Sequence, residues 1–449
     1  MNFSQFLSTL VDLVWGLPLV ILLMGGGIAL TIRSKLLPIK YFFTAWRLIL
    51  GKIPEDEDAK GQLSHFAALC NALSSTIGMG NIAGVAVAIY QGGPGTIFWM
   101  WVSAIVGMCS KFFECSLAVM YRGEDYRGEV QGGPMYVIEK AMPKVFKPLA
   151  YIFAICALVG TLSMFQTNQL AVFLNTQYAV PNLATGIACG IFVLFVLFGG
   201  VVRVASVTTK IVPLMCLLYV IAGLIIIFMN FSAVPDVFAL IFKEAFTGRA
   251  AVGAVSGLAV REVMKLGIKR AVFSNEAGVG SAPLAHGNAK TNDPIKEGLV
   301  AMVGPFLDTI IVCTITALVI LLSVDLAQTS ELSGIELTTL AFKNNFSDIG
   351  VHLLGLAIFL FSFSTMIGMA NYGVKCWNYI FKGKSIFKEI TYIILCSLTM
   401  VYAATSSPGD IINILDIGFG MMAFPAMFST LYLSGKVLAQ MKKSKILKS

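Results

Sequence analysis

The sequence predicts an all-α polytopic membrane protein of about eleven transmembrane helices. Ten of them form two halves of five in inverted orientation, and one extra helix stands in front. Three observations predict this. Hydrophobic residues make up 57% of the 449-residue chain and charged residues 12%, with a mean hydropathy of +0.82, far from the balance of a soluble domain. Nearly the whole chain lies in apolar runs of about 20 residues, the length that crosses a bilayer. Two of those runs are interrupted by glycines and polar residues, and the interruptions fall at corresponding places in the two halves.

The first apolar run, Val11 to Ile32, has no basic residue before it and is too long for a signal-peptide core, so it reads as a retained span. Lys35 to Leu50 follows as an interfacial helix and Lys52 to Lys60 as a charged linker, completing an N-terminal unit of residues 1–62. The first repeat, 63–230, holds spans at about 63–90, 96–120, 148–178, 184–202 and 211–230. The second, 231–434, holds spans at about 268–290, 298–323, 350–380, 386–404 and 411–434, and 435–449 is a basic tail. Ala250 to Val260 is apolar but too short to cross and reads as part of an external or re-entrant helix. The nine cysteines are scattered through apolar runs without a pairing pattern and read as reduced core thiols.

Charge sets the orientation. With the C-terminus inside, the inner connections carry 23 of the 32 Lys and Arg residues and the outer ones 7, while Lys111 and Lys375 fall within spans. The positive-inside rule then puts this chain in the cell membrane with its N-terminus outside and its C-terminus in the cytoplasm.

The first interruption is S-S-T-I-G-M-G-N, Ser74 to Asn81, where Gly78 and Gly80 flank a single Met. Glycine costs a helix about 1 kcal/mol relative to alanine, so two this close should unwind it. Backbone freed in a bilayer must line a cavity or be buried in protein. The second interruption is F-S-N-E-A-G-V-G-S-A-P, Phe273 to Pro283, broken by Gly278, Gly280 and Pro283, with Asn275 and Glu276 at membrane depth. Five spans separate the starts of the two interruptions, an odd number, so the second half is inserted upside down and the two breaks meet near the midplane. Paired interruptions of this kind point to the binding site of a secondary transporter. Half-helix N-termini offer N–H groups to a carboxylate, and half-helix C-termini offer carbonyls to a hard cation such as sodium. A passive channel would need a continuous polar pore. A membrane-embedded enzyme finds no H-E-x-x-H and no nucleophile–His–acid set among the three histidines. His65, His286 and His352 read as interfacial, and Glu276 and Asp308 are the main ionisable residues deep in the spans.

Three blocks carry a family resemblance. G-G-P-G-T-I-F-W-M-W-V-S-A-I-V-G (Gly92 to Gly107) resembles the signature of the alanine or glycine:cation symporter family, the sodium:alanine symporters. F-S-N-E-A-G-V-G-S-A-P-L-A-H (Phe273 to His286) and L-V-A-M-V-G-P-F-L-D-T-I-I-V-C-T (Leu299 to Thr314) resemble that family as well, and G-M-G-N at Gly78 resembles the break of LeuT-type transporters. The resemblance covers nearly the whole chain. It departs at T-L-S-M-F-Q, ending at Gln166, where the family has G-I-G-N-M-V-Q.

The resemblance implies a LeuT-like fold with one extra N-terminal helix and a sodium-coupled symporter of small neutral amino acids. The substrates would be glycine and alanine, including D-alanine where the methyl has slack on both sides. It implies that Ser75, Thr76, Gly78 and Gly80 hold the substrate carboxylate beside Asn81, and that Gln166, Phe273, Asn275 and Met366 enclose the amino group and side chain. It implies sodium coordination by the carbonyls of Ser74 and Ile77 with the hydroxyls of Ser364 and Thr365. The alternative is a proton-coupled carrier using Glu276 or Asp308; otherwise Glu276 braces the break and Asp308 serves helix packing or gating. The expected partners are the amino acid, sodium and the lipid bilayer, with no nucleic acid and no enzymatic activity.

Overall fold

A computed structural model describes residues 3–53, 59–125, 127–198, 200–247, 259–326, 332, 334–382 and 386–447. Of the segments singled out above, 54–58 of the linker and 250–258 of the short apolar piece lie outside the described residues.

The first apolar run forms α1 (Phe3–Val14) and α2 (Leu17–Arg33), bent by 45° at Trp15 and Gly16. The interfacial segment forms two short helices, α3 (Leu37–Lys40) and α4 (Phe42–Ile49). The first broken span is α5 (His65–Thr76) and α6 (Gly80–Gly92), bent by 52°. Then come α7 (Gly95–Met120), a two-stranded hairpin of β1 (Gly123–Glu124) and β2 (Val130–Gln131), and the short α8 (Pro134–Ala141). After them stand α9 (Lys147–Gly160), α10 (Met164–Tyr178), α11 (Asn182–Leu197), α12 (Gly200–Met229) and α13 (Val234–Thr247). The second broken span is α14 (Val260–Asn275) and α15 (Ala282–His286), followed by α16 (Pro294–Ser323). A kink at Ser347 splits Ile335–Ile380 into α17 (335–346) and α18 (348–380), and α19 (Ile386–Thr405) and α20 (Pro408–Lys443) complete the chain. Among the described residues seven helices are long and apolar enough to cross a membrane, or nine if each bent pair is one span.

Several expected boundaries move. The span at 148–178 is interrupted between Gly160 and Met164. The connection placed at 203–210 is helical, because α12 begins at Gly200; its Arg203 lies over the Phe195 ring at 4.8 Å. The tail at 435–449 is helical as far as Lys443. Long basic side chains extend helices past the bilayer core because their stems lie on apolar surface while their charges reach water.

The burial pattern is that of a membrane protein. Helix α12 buries Val204, Thr208, Val212, Met215 and Tyr219 and exposes Leu214, Leu217, Leu218, Ile221 and Phe228. Its apolar residues thus cover both faces, as expected when the surroundings are lipid. The helices sort into two packed groups. Helices α14 and α16 pack with α7, helices α10, α11 and α18 pack with α19, and α5 lies between them, packed against α12 and α18 as well as α15 and α16. The first run bridges outside them, with α1 against α20 and α2 against α7.

Candidate functional site

At the first break α5 ends at Thr76, Ile77 is extended (ψ 97°), and a widened π-helical turn over Gly80–Gly84 starts α6. Glycine is required at 78 by close approach: a methyl there would lie 2.0 Å from Thr365 Oγ1. Position 80 is different, since a methyl would meet Ser274 and Phe273 at 3.5 and 3.6 Å, ordinary contact distances. The Gly78 amide donates to Asn81 Oδ1 at 2.8 Å.

The second break is held by backbone conformation. Glu276, Gly278 and Gly280 have φ of 57°, 88° and 82°, and only glycine takes the left-handed region without a steric penalty. Glu276 Oε2 accepts from Ser281 Oγ at 2.5 Å, across the break. The carboxylate thus braces the turn.

Asp308 ties the two breaks together. Its carboxylate accepts from Asn81 Nδ2 (2.7 Å), from Ser274 Oγ (2.9 Å) and from Thr309 Oγ1 (2.6 Å). Asn275 Nδ2 donates to Thr309 Oγ1 at 3.0 Å, and its Oδ1 accepts from the Ala277 amide at 3.0 Å. All five side chains are fully or almost fully buried. Asp308 sits in a π-helical stretch of α16, Phe306–Cys313, the kind of local widening found at functional sites. Each donor here satisfies a buried acceptor whose loss would cost about 1–3 kcal/mol.

Between the breaks lies a narrow cavity. Ser75, Thr76, Gly78 and Gly80 form one wall, Gly160, Leu162 and Gln166 a second, and Phe273, Thr365, Met369, Leu415 and Phe419 the rest. Gln166 Oε1 is buried with no hydrogen-bond partner among the described residues; such an oxygen is costly unless a ligand meets it. Ser75 and Thr76 hydroxyls bond weakly to their own helix, at 3.3–3.4 Å.

Beside the cavity lie two pairs of neutral oxygens, each a hydroxyl facing a carbonyl, with the two hydroxyls on adjacent residues. Ser364 Oγ lies 3.4 Å from the Ser74 carbonyl and Thr365 Oγ1 lies 3.4 Å from the Ile77 carbonyl. These separations are long for O–H···O hydrogen bonds. They match the spacing of neighbouring ligands about 2.4 Å from one hard cation and roughly at right angles around it. The donor set is uncharged and all oxygen, which fits a monovalent ion; among the described residues no cluster of His, Cys, Asp and Glu is arranged to hold a metal. Gly368 lets α18 lie this close, since a methyl there would sit 2.6 Å from both Ser74 Oγ and Ser75 Oγ. Thr365 belongs to both the oxygen set and the cavity wall.

Aromatic rings roof the cavity. Phe273 meets Phe165 edge-on at 5.5 Å and Phe419 at 5.5 Å. Beyond them opens a vestibule lined by Tyr90, Gln91, Phe165, Gln169, Glu336 and Ile412, among others. One turn from Phe273 and Phe419 toward that vestibule, buried Arg270 pairs with buried Asp416 at 2.6 Å and Lys269 joins it at 3.2 Å.

On the opposite, hairpin side, the three segments around the breaks are stitched together. Glu297 bridges His65 Nδ1 and His286 Nδ1, each at 2.5 Å, and all three are buried. Arg122 donates to the carbonyls of Gly287 (2.8 Å), Lys60 (3.0 Å), Thr291 (3.1 Å) and Ala289. A parallel bridge joins Leu63 to Ala289.

The structure therefore brings Ser75, Thr76, Gly78, Gly80, Gln166, Phe273 and Thr365 to one cavity and Ser74, Ile77 and Ser364 to its edge. It does not bring Asn81, Asn275 or Met366 there. The two amides are taken up by the Asp308 network. Met366 is buried outside the lining, and Met369 stands in the wall instead. His65 and His286 are core residues rather than interfacial ones, whereas His352 is exposed and bonded to Tyr178. Glu114, Glu297 and Asp416 join Glu276 and Asp308 as buried carboxylates that the spans conceal.

Residues 1–446 match the profile of the sodium:alanine symporter family. The chain is 40% identical to the sodium/alanine symporter AgcS of Methanococcus maripaludis, over 98% of this chain and 97% of that one. It is 33% identical to the probable sodium/glutamine symporter GlnT of Bacillus subtilis (96% and 88%) and 33% identical to that organism's putative sodium/proton-dependent alanine carrier YrbD (98% and 92%). Among solved structures, MhsT in complex with L-phenylalanine superposes with a TM-score of 0.53 at 14% identity, over 85% of this chain and 89% of that one. The fold is LeuT-like, and the molecule is a multi-pass membrane transporter rather than an enzyme. The chain belongs to the sodium:alanine symporter family.

Proposed function

We propose that this protein imports alanine and glycine together with sodium by alternating access, with the N-terminus outside and the vestibule facing the exterior. The observation that carries this reading is the double membership of Thr365, whose hydroxyl faces the Ile77 carbonyl while its side chain lines the cavity. An ion held there stiffens the wall that the amino acid touches, so the two ligands favour one another by a shared coupling free energy. The substrate set is then Ser75, Thr76, Gly78, Gly80, Gln166 and Phe273, completed by Met369 and Phe419, with Asn81, Asn275 and Met366 acting one step removed.

Selectivity follows from size. Two glycines on one wall face Gln166, Phe273, Met369 and Phe419, leaving room for a methyl group. Overfilling such a site costs about 1–3 kcal/mol, which disfavours valine and leucine. A missing methyl costs about 1 kcal/mol, so glycine binds less tightly than alanine. D-alanine is accepted where the carboxylate is held by backbone N–H groups and the methyl has slack on both sides.

A zwitterion moving with one sodium ion carries net charge +1, so 100 mV contributes about 2.3 kcal/mol. A tenfold sodium gradient adds about 1.4 kcal/mol, and both together support roughly 500-fold accumulation. Uptake of labelled alanine into proteoliposomes tests the reading. A sodium gradient should drive electrogenic uptake, and replacement of sodium by choline should abolish it; unchanged uptake in choline sinks the proposal. The second reading, proton coupling through Glu276 or Asp308, is favoured by one observation, the buried Glu276 Oε1 that has no hydrogen-bond partner among the described residues. An imposed pH gradient that drives uptake without sodium would select it.

A further inference from the structure

On the hairpin side Glu297 ties α5 to α15 and α16, and Arg122, just after α7, ties to the segments around the breaks. These ties link the two broken spans, α16 and the end of α7, and none of them reaches α18. Lys375 supplies that link. It lies on α18, ten residues and therefore about 15 Å along the helix from Thr365. Its ammonium is buried and donates to the Leu284 carbonyl at 2.5 Å and to Asn288 Oδ1. Leu284 belongs to α15, the half-helix that resumes after the second break. The same Asn288 donates from Nδ2 to Gln62 Oε1 (3.0 Å) and to the Val130 carbonyl (2.7 Å). One cation thus clasps the second broken helix and, through Asn288, the segment leading into the first.

Lys375 also borders a second set of partners. A cavity opens beside it on the hairpin side, lined by Asp125, Glu129, Asn371, Asn378 and Glu389 among others. The carboxylates of Asp125 and Glu129 share the lining of that cavity with Lys375. Asp125 is committed to its own turn, accepting from the amides of Arg127 (2.8 Å) and Glu129 (2.9 Å) and from Gln131 Nε2 (3.2 Å). A buried ammonium cannot be left without acceptors, so when α15 moves away from α18 it must turn to water and carboxylate in that cavity.

We propose that Lys375 is the inner latch of the transport cycle: it holds α15 and the root of α5 against α18 while the vestibule side is accessible, and it transfers to the Glu129 side of the cavity when the hairpin side opens. Lys375 is a positioning residue, since it touches neither the candidate substrate cavity between the breaks nor the oxygens of Ser364 and Thr365. The assignment rests on the alternating-access reading above.

Hydrogen exchange of the full-length protein in lipid nanodiscs, in choline buffer without amino acid, tests it. In Lys375→Met, peptides covering 62–72 and 282–291 should exchange about tenfold faster or more, while vestibule peptides covering 87–92 and 165–172 should exchange more slowly, because one side closes as the other opens. Lys375→Arg should restore the wild-type pattern. Glu129→Gln should shift it the other way, with slower exchange on the hairpin side. Faster exchange on both sides in Lys375→Met, or no change on either, overturns the latch; a Glu129→Gln profile identical to wild type overturns the transfer. The latch is judged without ligands. Failure of sodium and alanine together to alter the wild-type pattern would count against the symport reading alone.

Discussion

The two breaks share a glycine–x–glycine sequence and do different work. At the first, Gly78 is fixed by contact: its missing side chain makes room for Thr365, and the carbonyls around it are free to face an ion. At the second, Gly278 and Gly280 are fixed by conformation, and the polar side chains beside them turn to protein neighbours, Asn275 to Thr309 and Glu276 Oε2 to Ser281. One break presents its backbone outward to the cavity, and the other uses its side chains to hold its own shape. Broken helices at matching positions are therefore not chemically equivalent: Asp308 binds side chains from both, yet only Phe273 of the second reaches the cavity wall.

The largest effect that separates them is at position 78. Gly78→Ala would push a methyl into Thr365 Oγ1 and should abolish sodium-dependent uptake, by about 100-fold or more, because packed interiors relax only partly. Gly80→Ala has room and should lose about tenfold or less, mainly as weaker alanine affinity. Equal losses in initial-rate uptake would mean that position 78 is not set by its contact with Thr365.

Next in size is the network between the breaks. Asp308→Asn exchanges an acceptor for a donor facing Asn81 Nδ2 and should destabilise the protein by about 1–3 kcal/mol. The drop should appear in thermal unfolding with and without sodium, since Asp308 binds neither ligand in this account. A loss confined to sodium-containing buffer would place Asp308 in the ion site instead.

A smaller effect tests the wall. Met369→Ala should admit valine or leucine as competitors of labelled alanine while weakening alanine itself by about 1 kcal/mol. Met366→Ala should lower thermal stability and leave the competition profile unchanged. The reverse pattern would restore Met366 to the site and remove Met369.

Much of this was legible in the sequence. Apolar run length places the helices, and glycine spacing places both breaks, because each is a local property of the chain. The pairing of Ser364 and Thr365 with the first break came from the family resemblance, and the 3.4 Å contacts give it geometry. Other features depend on distant contacts. Asp308 meets Asn81 across 227 residues of sequence, which no local pattern encodes. The interruption of the fourth span after Gly160 lies in G-T-L-S, a stretch with no proline and no charge. The confusion of Met366 with Met369 did have a usable signal. On a helix, residue 369 shares the face of Thr365 at i+4, while residue 366 is turned about 100° away. The histidines read as interfacial because they end spans; the partner that buries them, Glu297, lies just beyond the expected edge of its own.

The central claim is that ion and amino acid meet at Thr365, and one measurement addresses it directly: alanine binding titrated at several sodium concentrations, and sodium dependence titrated at several alanine concentrations, for the wild type and Thr365→Ala. Each ligand should tighten the other by the same factor in the wild type, as linkage requires. In Thr365→Ala the half-saturating sodium concentration should rise and that factor should shrink toward one, with alanine binding largely recovered at saturating sodium. Alanine affinity that is independent of sodium in the wild type, or a Thr365→Ala protein with unaltered sodium dependence, would contradict it.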